Sequence, residues 1–331
     1  MSISYRMAAK NDIDELAQFW SENSGWDIID RAEWERRFTN TPSGDAAVAI
    51  AVDDDTGKII GQFVFIPLRI AVKGKEVKAY RPFAPVLEQS LQTKFGIASL
   101  LTGQHPILRM YKKVADDLTR QGVSLIYILP DPRWSRVLQA FPFVMTHKFP
   151  LWSYSLTSPG AFELTEGVSA EKINPSDPAV DLLWQKAAAV YNPAIVRNSH
   201  TLPWKTSHGD FKVYTVNHCN ETIGMFAAVY KIKDHQWLIC DVVTKDKKES
   251  LALTLKTACH IIQQENKNPA DSETSKNKIA ILATPPIEDI VKEMGFAKEN
   301  YHFTLAVQML AKNGIDKKDV LPANWYVSAN D

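Results

Sequence analysis

The chain has 331 residues, 45% of them hydrophobic and 23% charged, and its 38 basic residues balance 38 acidic ones. That composition is ordinary for a globular chain, and this length suggests about two domains. A neutral balance leaves no basic excess of the kind that neutralises nucleic-acid phosphates, so no nucleic-acid partner is expected.

Residues 3–8 read as a short strand. Asn11 follows as a helix N-cap, with Ile13, Leu16, Ala17 and Trp20 at helical spacing. A second short helix is predicted over 31–38. Residues 46–52 and 58–67 read as strands around the Asp53–Gly57 turn, with 68–72 extending the second. After Gly74 a further strand is predicted over 76–87, and Pro82 and Pro85 require it to bulge or to leave a ladder there. A long connection, 88–105, leads to Pro106, which suits the first turn of a helix. The helix buries Ile107, Leu108, Tyr111, Val114, Ala115 and Leu118 and closes at Gly122. An apolar strand follows over 124–129.

Residues 157–176 are rich in Ser, Thr, Pro, Gly and Glu and read as a linker between a domain at 1–156 and another at 177–331. Asp177-Pro178 opens a helix with Val180, Leu183, Trp184, Ala187 and Tyr191 on its apolar face. Strands are predicted over 211–216, 222–232 and 237–243, a helix over 248–264, and strands over 279–283 and 303–309.

The halves repeat one order of elements. Ile60-Gly61-Gln62-Phe63 and Ile223-Gly224-Met225-Phe226 each follow a turn, and each precedes more strand and a long amphipathic helix. An apolar strand ending in proline comes next in both, then a short helix, then Phe141-Pro142-Phe143 or Met294-Gly295-Phe296. A unit of this length is a duplicated domain, too long for a solenoid repeat.

Cys219, Cys240 and Cys259 are few, dispersed and odd in number, which argues against a disulfide framework and a paired-cysteine zinc site. Cys240 and Cys259 sit among apolar neighbours and read as buried thiols. No metal site is expected. The first residues carry no apolar signal core and no run of about 18 apolar residues occurs, so a cytoplasmic protein without a membrane span is expected.

The order β–α–α–β–β–β–α–β–α–β, with Gly61 after a hairpin turn and Met294-Gly295-Phe296 after the last helix, resembles the GNAT N-acetyltransferases. The resemblance covers most of both halves and implies an α+β fold: two tandem GNAT-like domains, each a mixed, mostly antiparallel sheet flanked by helices. Tandem GNAT-like folds also occur in FemAB-like aminoacyltransferases, and the late Trp325-Tyr326 is similar to the end of tandem proteins associated with cell-surface polymers. The family places acyl-CoA between two parting parallel strands, its pyrophosphate on a loop reading Gln/Arg-x-x-Gly-x-Gly/Ala ahead of a helix. Small residues there admit backbone N–H groups to phosphate. Thr93-Lys94-Phe95-Gly96-Ile97-Ala98 is the nearest match, with Thr93 in place of the usual Gln or Arg. Either a helix starts at Ile97 and breaks near Gly103, or an insertion displaces the loop, leaving Gly103 and Gln104 to face phosphate. The resemblance thus implies acetyl-CoA or another acyl-CoA as co-substrate, contacted by Val86, Leu87, Gly96, Ile97, Ala98, Ser99 and Asp131. In the second half, 244–250 holds no glycine, and side chains there would crowd a pyrophosphate.

N-acyl transfer needs a base for the amine, a polarised thioester carbonyl and a proton source for the leaving thiolate. Glu88, at the end of the central strand, is the candidate base, and amides near 86–88 the candidate oxyanion donors. The family's acid, a Tyr about four residues before the Gly-Phe pair, is replaced by Leu138 and Val291. Tyr127, in the apolar strand, is the alternative donor. The aromatic and polar stretch around His200, Trp204 and His208 is a candidate acceptor lining. The expected activity is acyl-CoA-dependent N-acyltransfer, with acetyl as the expected acyl group, to a small-molecule or polymer-linked amine. A FemAB-like aminoacyltransferase and a non-catalytic GNAT-like scaffold are the alternatives.

Overall fold

A computed structural model describes residues 2–130, 132, 135–143, 145–156, 162–207, 209–266 and 278–331. The chain divides into two units: Met1–Ile70, Glu76–Thr146 and Leu305–Pro322 form the first, and Ala71–Lys75, His147–Thr304 and Ala323–Asp331 the second.

The first unit opens with β1 (Ile3–Met7), antiparallel to β2 (Ala47–Asp53), Tyr5 opposite Ala51. Between them lie α1 (Ile13–Asn23) and α2 (Arg31–Trp34). Asn11 does not cap α1. A single 3-10 turn, Lys10–Asp12, precedes the helix, and Asp12 reaches back to the Ala9 amide at 2.6 Å while pairing with Arg6. A carboxylate held by both a backbone N–H and a guanidinium is a better closure than the neutral amide of Asn11.

β2 pairs antiparallel with β3 (Ile59–Val72), and β4 (Lys75–Leu87) lies next in the sheet. Two short helices, α3 (Gln89–Lys94) and α4 (Ile97–Leu101), fill the stretch expected to be a connection, and Gly103 at φ +71° ends it. Of the two sequence alternatives, the helix starting at Ile97 is the one present. α5 (Pro106–Arg120) follows, then β5 (Leu125–Ile128), α6 (Ser135–Leu138) and β6 (Met145–Ser155), which from His147 belongs to the second unit. The core lies between the sheet and α5, where Phe63, Phe65, Tyr80, Leu87, Met110, Tyr111 and Val114 are buried together.

In the second unit, Val168–Lys172, within the stretch read as a linker, forms an edge strand, β7, against β9 (Lys212–His218). α7 (Pro178–Val190), β8 (Ala194–Ile195) and α8 (Thr201–Thr206) come between. Next are β10 (Glu221–Lys231), β11 (Gln236–Thr244), α9 (Glu249–Glu265), β12 (Lys278–Leu282), α10 (Pro285–Glu293) and β13 (Ala297–Met309). The sheet runs β7-β9-β10-β11-β12-β6, with β11 and β12 parallel. β13 belongs to this unit as far as Thr304; from Leu305 it counts with the first unit, where Ala306–Met309 pairs antiparallel with β5.

Matching contacts occur in the two units. The Glu88 amide donates to the Ile60 carbonyl at 3.0 Å, and the Lys245 amide to the Ile223 carbonyl at 3.0 Å. A Cβ on Gly61 would come 2.8 Å from Leu87 at the end of β4 and 3.5 Å from Met110 of α5. A Cβ on Gly224 would come 2.9 Å from Thr244 at the end of β11 and would collide with Thr254 of α9. Both glycines are small for one reason: the third strand passes beneath the end of the fourth and the long helix. Cys240 and Cys259 are buried, with burial pushing the Cys240 thiol up to about 12, and Cys219 is exposed. No helix among the described residues is long and apolar enough to cross a membrane.

Candidate active site

In the first unit the parallel pair β4 and β5 is in register at Ala79↔Leu125 and Tyr80↔Ile126. Beyond it β4 carries Pro82 and Pro85, which have no N–H to give a ladder. Between them Ala84 sits at φ +41°, a left-handed conformation that a residue with a Cβ adopts only under constraint. The strands part, and the gap is a cavity of about 270 Å³. Arg81, Pro82, Phe83, Ala84 and Pro85 of β4 form one wall, and Ile128, Leu129 and Pro130 the opposite one. Phe63, Tyr111, Leu138, Phe141 and Phe143 close one side, and Trp26 stands on another, 59% exposed.

Aromatic packing holds this frame. Trp20 of α1 stacks on Phe83 at 6.0 Å, Trp34 and Phe38 pack edge-on at 4.7 Å, and Trp26 meets Phe83 at 5.7 Å. Such contacts add roughly 0.5–1.5 kcal/mol each beyond their burial. They fix the α1–α2 segment over the half of β4 that has left the ladder. Arg81 places its guanidinium 5.9 Å over the Phe83 ring.

The residues singled out from sequence distribute unevenly. Val86 and Leu87 are buried at the end of β4, Leu87 in the core under Gly61. Glu88 is half-buried where β4 ends and accepts from Ser90 Oγ at 3.0 Å. Its amide is taken by Ile60, so of the expected oxyanion donors the Glu88 N–H is excluded. Tyr127 is buried in β5 and is not among the cavity-lining residues. Tyr111 is. Its hydroxyl donates to Gln308 Oε1, and burial raises its pKa far above the ordinary phenol. A leaving thiolate has a pKa near 8.5, so a phenol held that high is a poor proton source for it; Tyr111 serves as wall and anchor. Helical periodicity marked Tyr111 as core, and only the placement of α5 against the split shows which part of the core it faces.

Gly96 caps α4 with extended backbone, and a Cβ there would meet nothing within 4 Å. Internal packing therefore does not demand a glycine at 96. Ile97 and Ala98 begin α4, while the Ser99 amide is spent on the Gly96 carbonyl. The Gly103, Gln104 and His105 amides are spent as well, on Leu100 and Ser99, so Gly103 and Gln104 do not present free donors. α5 is capped by His105, whose Nδ1 accepts from the Ile107 amide at 3.2 Å; burial lowers the imidazole pKa. Asp131 and His208 lie outside the described residues.

The corresponding place in the second unit is filled. β11 and β12 are in register as far as Ile239↔Ile281, and a bulge against β10 falls at Cys240. Asp241, next along, is buried with Arg197, Lys205 and Asp331. Arg197 bonds Asp241 through Nε and Asp331 through Nη2 at 2.5 Å; Lys205 Nζ reaches Asp241 at 2.7 Å and Asp331 at 2.5 Å. The set is neutral, and it raises the Arg197 pKa and lowers that of Asp331 against the burial of each. Tyr326 donates to the Val242 carbonyl and lies 4.2 Å from the Tyr191 ring. At the head of α9, Asp246 accepts from the Lys248 and Ser250 amides at 2.9 and 3.2 Å, bonds that with Ser250 Oγ outweigh burial and hold its carboxyl below the usual range. A carboxylate thus occupies the amides that would face a phosphate. The stretch around His200 belongs to this filled region: His200 is exposed ahead of α8, and Lys205, from that helix, joins the ion set.

No family model and no curated protein sequence matches the chain. Solved structures do. A GCN5-related N-acetyltransferase from Anabaena variabilis ATCC 29413 superposes with a TM-score of 0.66 at 12% identity, over 93% of this chain and 73% of its own. A conserved protein of unknown function from Enterococcus faecalis V583 gives 0.65 at 9%, over 94% and 73%. Saccharomyces cerevisiae N-myristoyltransferase, solved with bound myristoyl-CoA, gives 0.55 at 10%, over 93% and 79%. At such identities the likeness is one of architecture. The chain has the mixed α+β fold of these GNAT-like structures.

Proposed function

We propose that the first unit is an acyl-CoA-dependent N-acyltransferase. The observation that carries this reading is the parting of β4 and β5 at Arg81, enforced by Pro82, Pro85 and the left-handed Ala84, with a cavity in the gap. Strand backbone that has left its ladder supplies an edge along which a pantetheine amide can lie, and the open space beside it admits the thioester. Gly96, Ile97 and Ala98 take the pyrophosphate end, as a glycine that packing does not require suggests.

The reaction is direct transfer. The amine nitrogen of the acceptor attacks the thioester carbonyl carbon, the new C–N bond forms, and the C–S bond breaks to release CoA as thiolate. Glu88 takes the amine proton, directly or through water, and the thiolate is protonated from solvent. The second unit, with Asp246 on its helix amides and four charges in its split, does not take CoA and has a structural role. The acceptor is an amine, either a small molecule or one borne by a polymer.

Calorimetric titration with CoA and acyl-CoA tests the reading. Saturable binding is expected, and absence of binding at millimolar CoA overturns it in favour of a scaffold. Glu88→Gln should lower kcat by roughly 10²–10⁴-fold with KM little changed; an unaffected kcat removes Glu88 from the mechanism.

A further inference from the structure

The cavity is far larger than an acetyl group. A cavity of roughly 150 Å³ lined by Leu, Ile and Phe holds benzene; this one measures about 270 Å³. Phe63, Phe83, Phe141 and Phe143 give it aromatic walls, and among the described residues Arg81 is the charged one that lines it. No carboxylate among the described residues does. An ammonium brought among these aromatic walls would lose its water, a cost that no described carboxylate of the lining offsets. The space therefore suits the uncharged end of the donor rather than the amine of the acceptor. An acetyl methyl would leave most of that apolar wall without contacts, which close-packed interiors avoid.

We infer that the donor carries a medium-chain or arylacyl group, about six carbons or more, buried among these aromatic walls. This inference rests on the acyl-CoA reading above. Burying one more methylene strengthens binding about fourfold, so chain length reads the cavity directly.

The experiment titrates the full chain with CoA, acetyl-CoA, hexanoyl-CoA and phenylacetyl-CoA. Hexanoyl-CoA and phenylacetyl-CoA should each bind at least tenfold more tightly than acetyl-CoA. If all four bind equally, the acyl class is wrong and the acyl-CoA reading survives; if none binds, both fall. Phe143, half-buried on the cavity wall, then separates the cavity from a second apolar surface. Phe143→Ala should raise the ratio of octanoyl-CoA to acetyl-CoA affinity by threefold or more, and Phe143→Trp should lower it. A ratio constant across both variants overturns the assignment, and because it is taken within one protein, a general loss of stability cancels.

Discussion

Where the strands of the first unit part at Arg81, prolines and aromatic rings leave an apolar space; where those of the second part after Ile239, Arg197, Lys205, Asp241 and Asp331 fill it. The frame is shared down to single hydrogen bonds, Glu88 to Ile60 and Lys245 to Ile223. The difference teaches that this frame does not by itself make a binding site. Side chains make one when they line the gap without closing it. In the second unit Tyr326 donates to the Val242 carbonyl of β11 and Asp331 accepts from Arg197, so these groups are satisfied by the chain itself.

The largest effect expected from breaking this contrast is on the ion set. Arg197→Met leaves two buried carboxylates facing one ammonium and should cost about 3–5 kcal/mol, read by urea unfolding. The Asp331 carboxyl is held below its ordinary value, so its contribution is present at neutral pH and lost as pH falls through the folded value. The wild type should therefore converge on the variant in acid; a pH-independent gap would show that charge is not the cause.

The repeated glycines come next. Gly224→Ala should destabilise by roughly 1–3 kcal/mol, because the new methyl meets Thr254 and Thr244. Gly61→Ala should cost less, since its nearest neighbour is the flexible end of Leu87. Thermal unfolding of both variants gives the order, and the reverse order would mean the two sites are not equivalents.

Gly96→Asp would give the first unit a helix-capping carboxylate like Asp246. Folding should hold, because the site is open and Asp is a good N-cap. CoA affinity should fall at least tenfold by calorimetry, and undiminished affinity would place the pyrophosphate elsewhere. The smallest effect concerns Gln62, buried with neither side-chain amide atom hydrogen-bonded. The second unit has Met225 in its place, and Gln62→Met should raise stability by about 1 kcal/mol in chemical unfolding. A loss instead would show that the amide is satisfied in solution.

Much of this was legible in the residues. The prolines at 82 and 85 announced a strand that leaves its ladder, and Ile-Gly-x-Phe announced the matching strands of the two halves. The site was less legible. Tyr111 has the spacing of any buried helix residue, and Tyr127, in the expected strand, does not line the cavity. Arg197 and Asp331 are 134 positions apart, and no local pattern ties a pair so distant. What the sequence by itself determined is the set of elements and their repetition, because periodicity, proline and glycine act within a few residues. Only the tertiary structure decided which split stays open, because that depends on side chains from distant segments meeting in one place, and on whether they bring rings or charges.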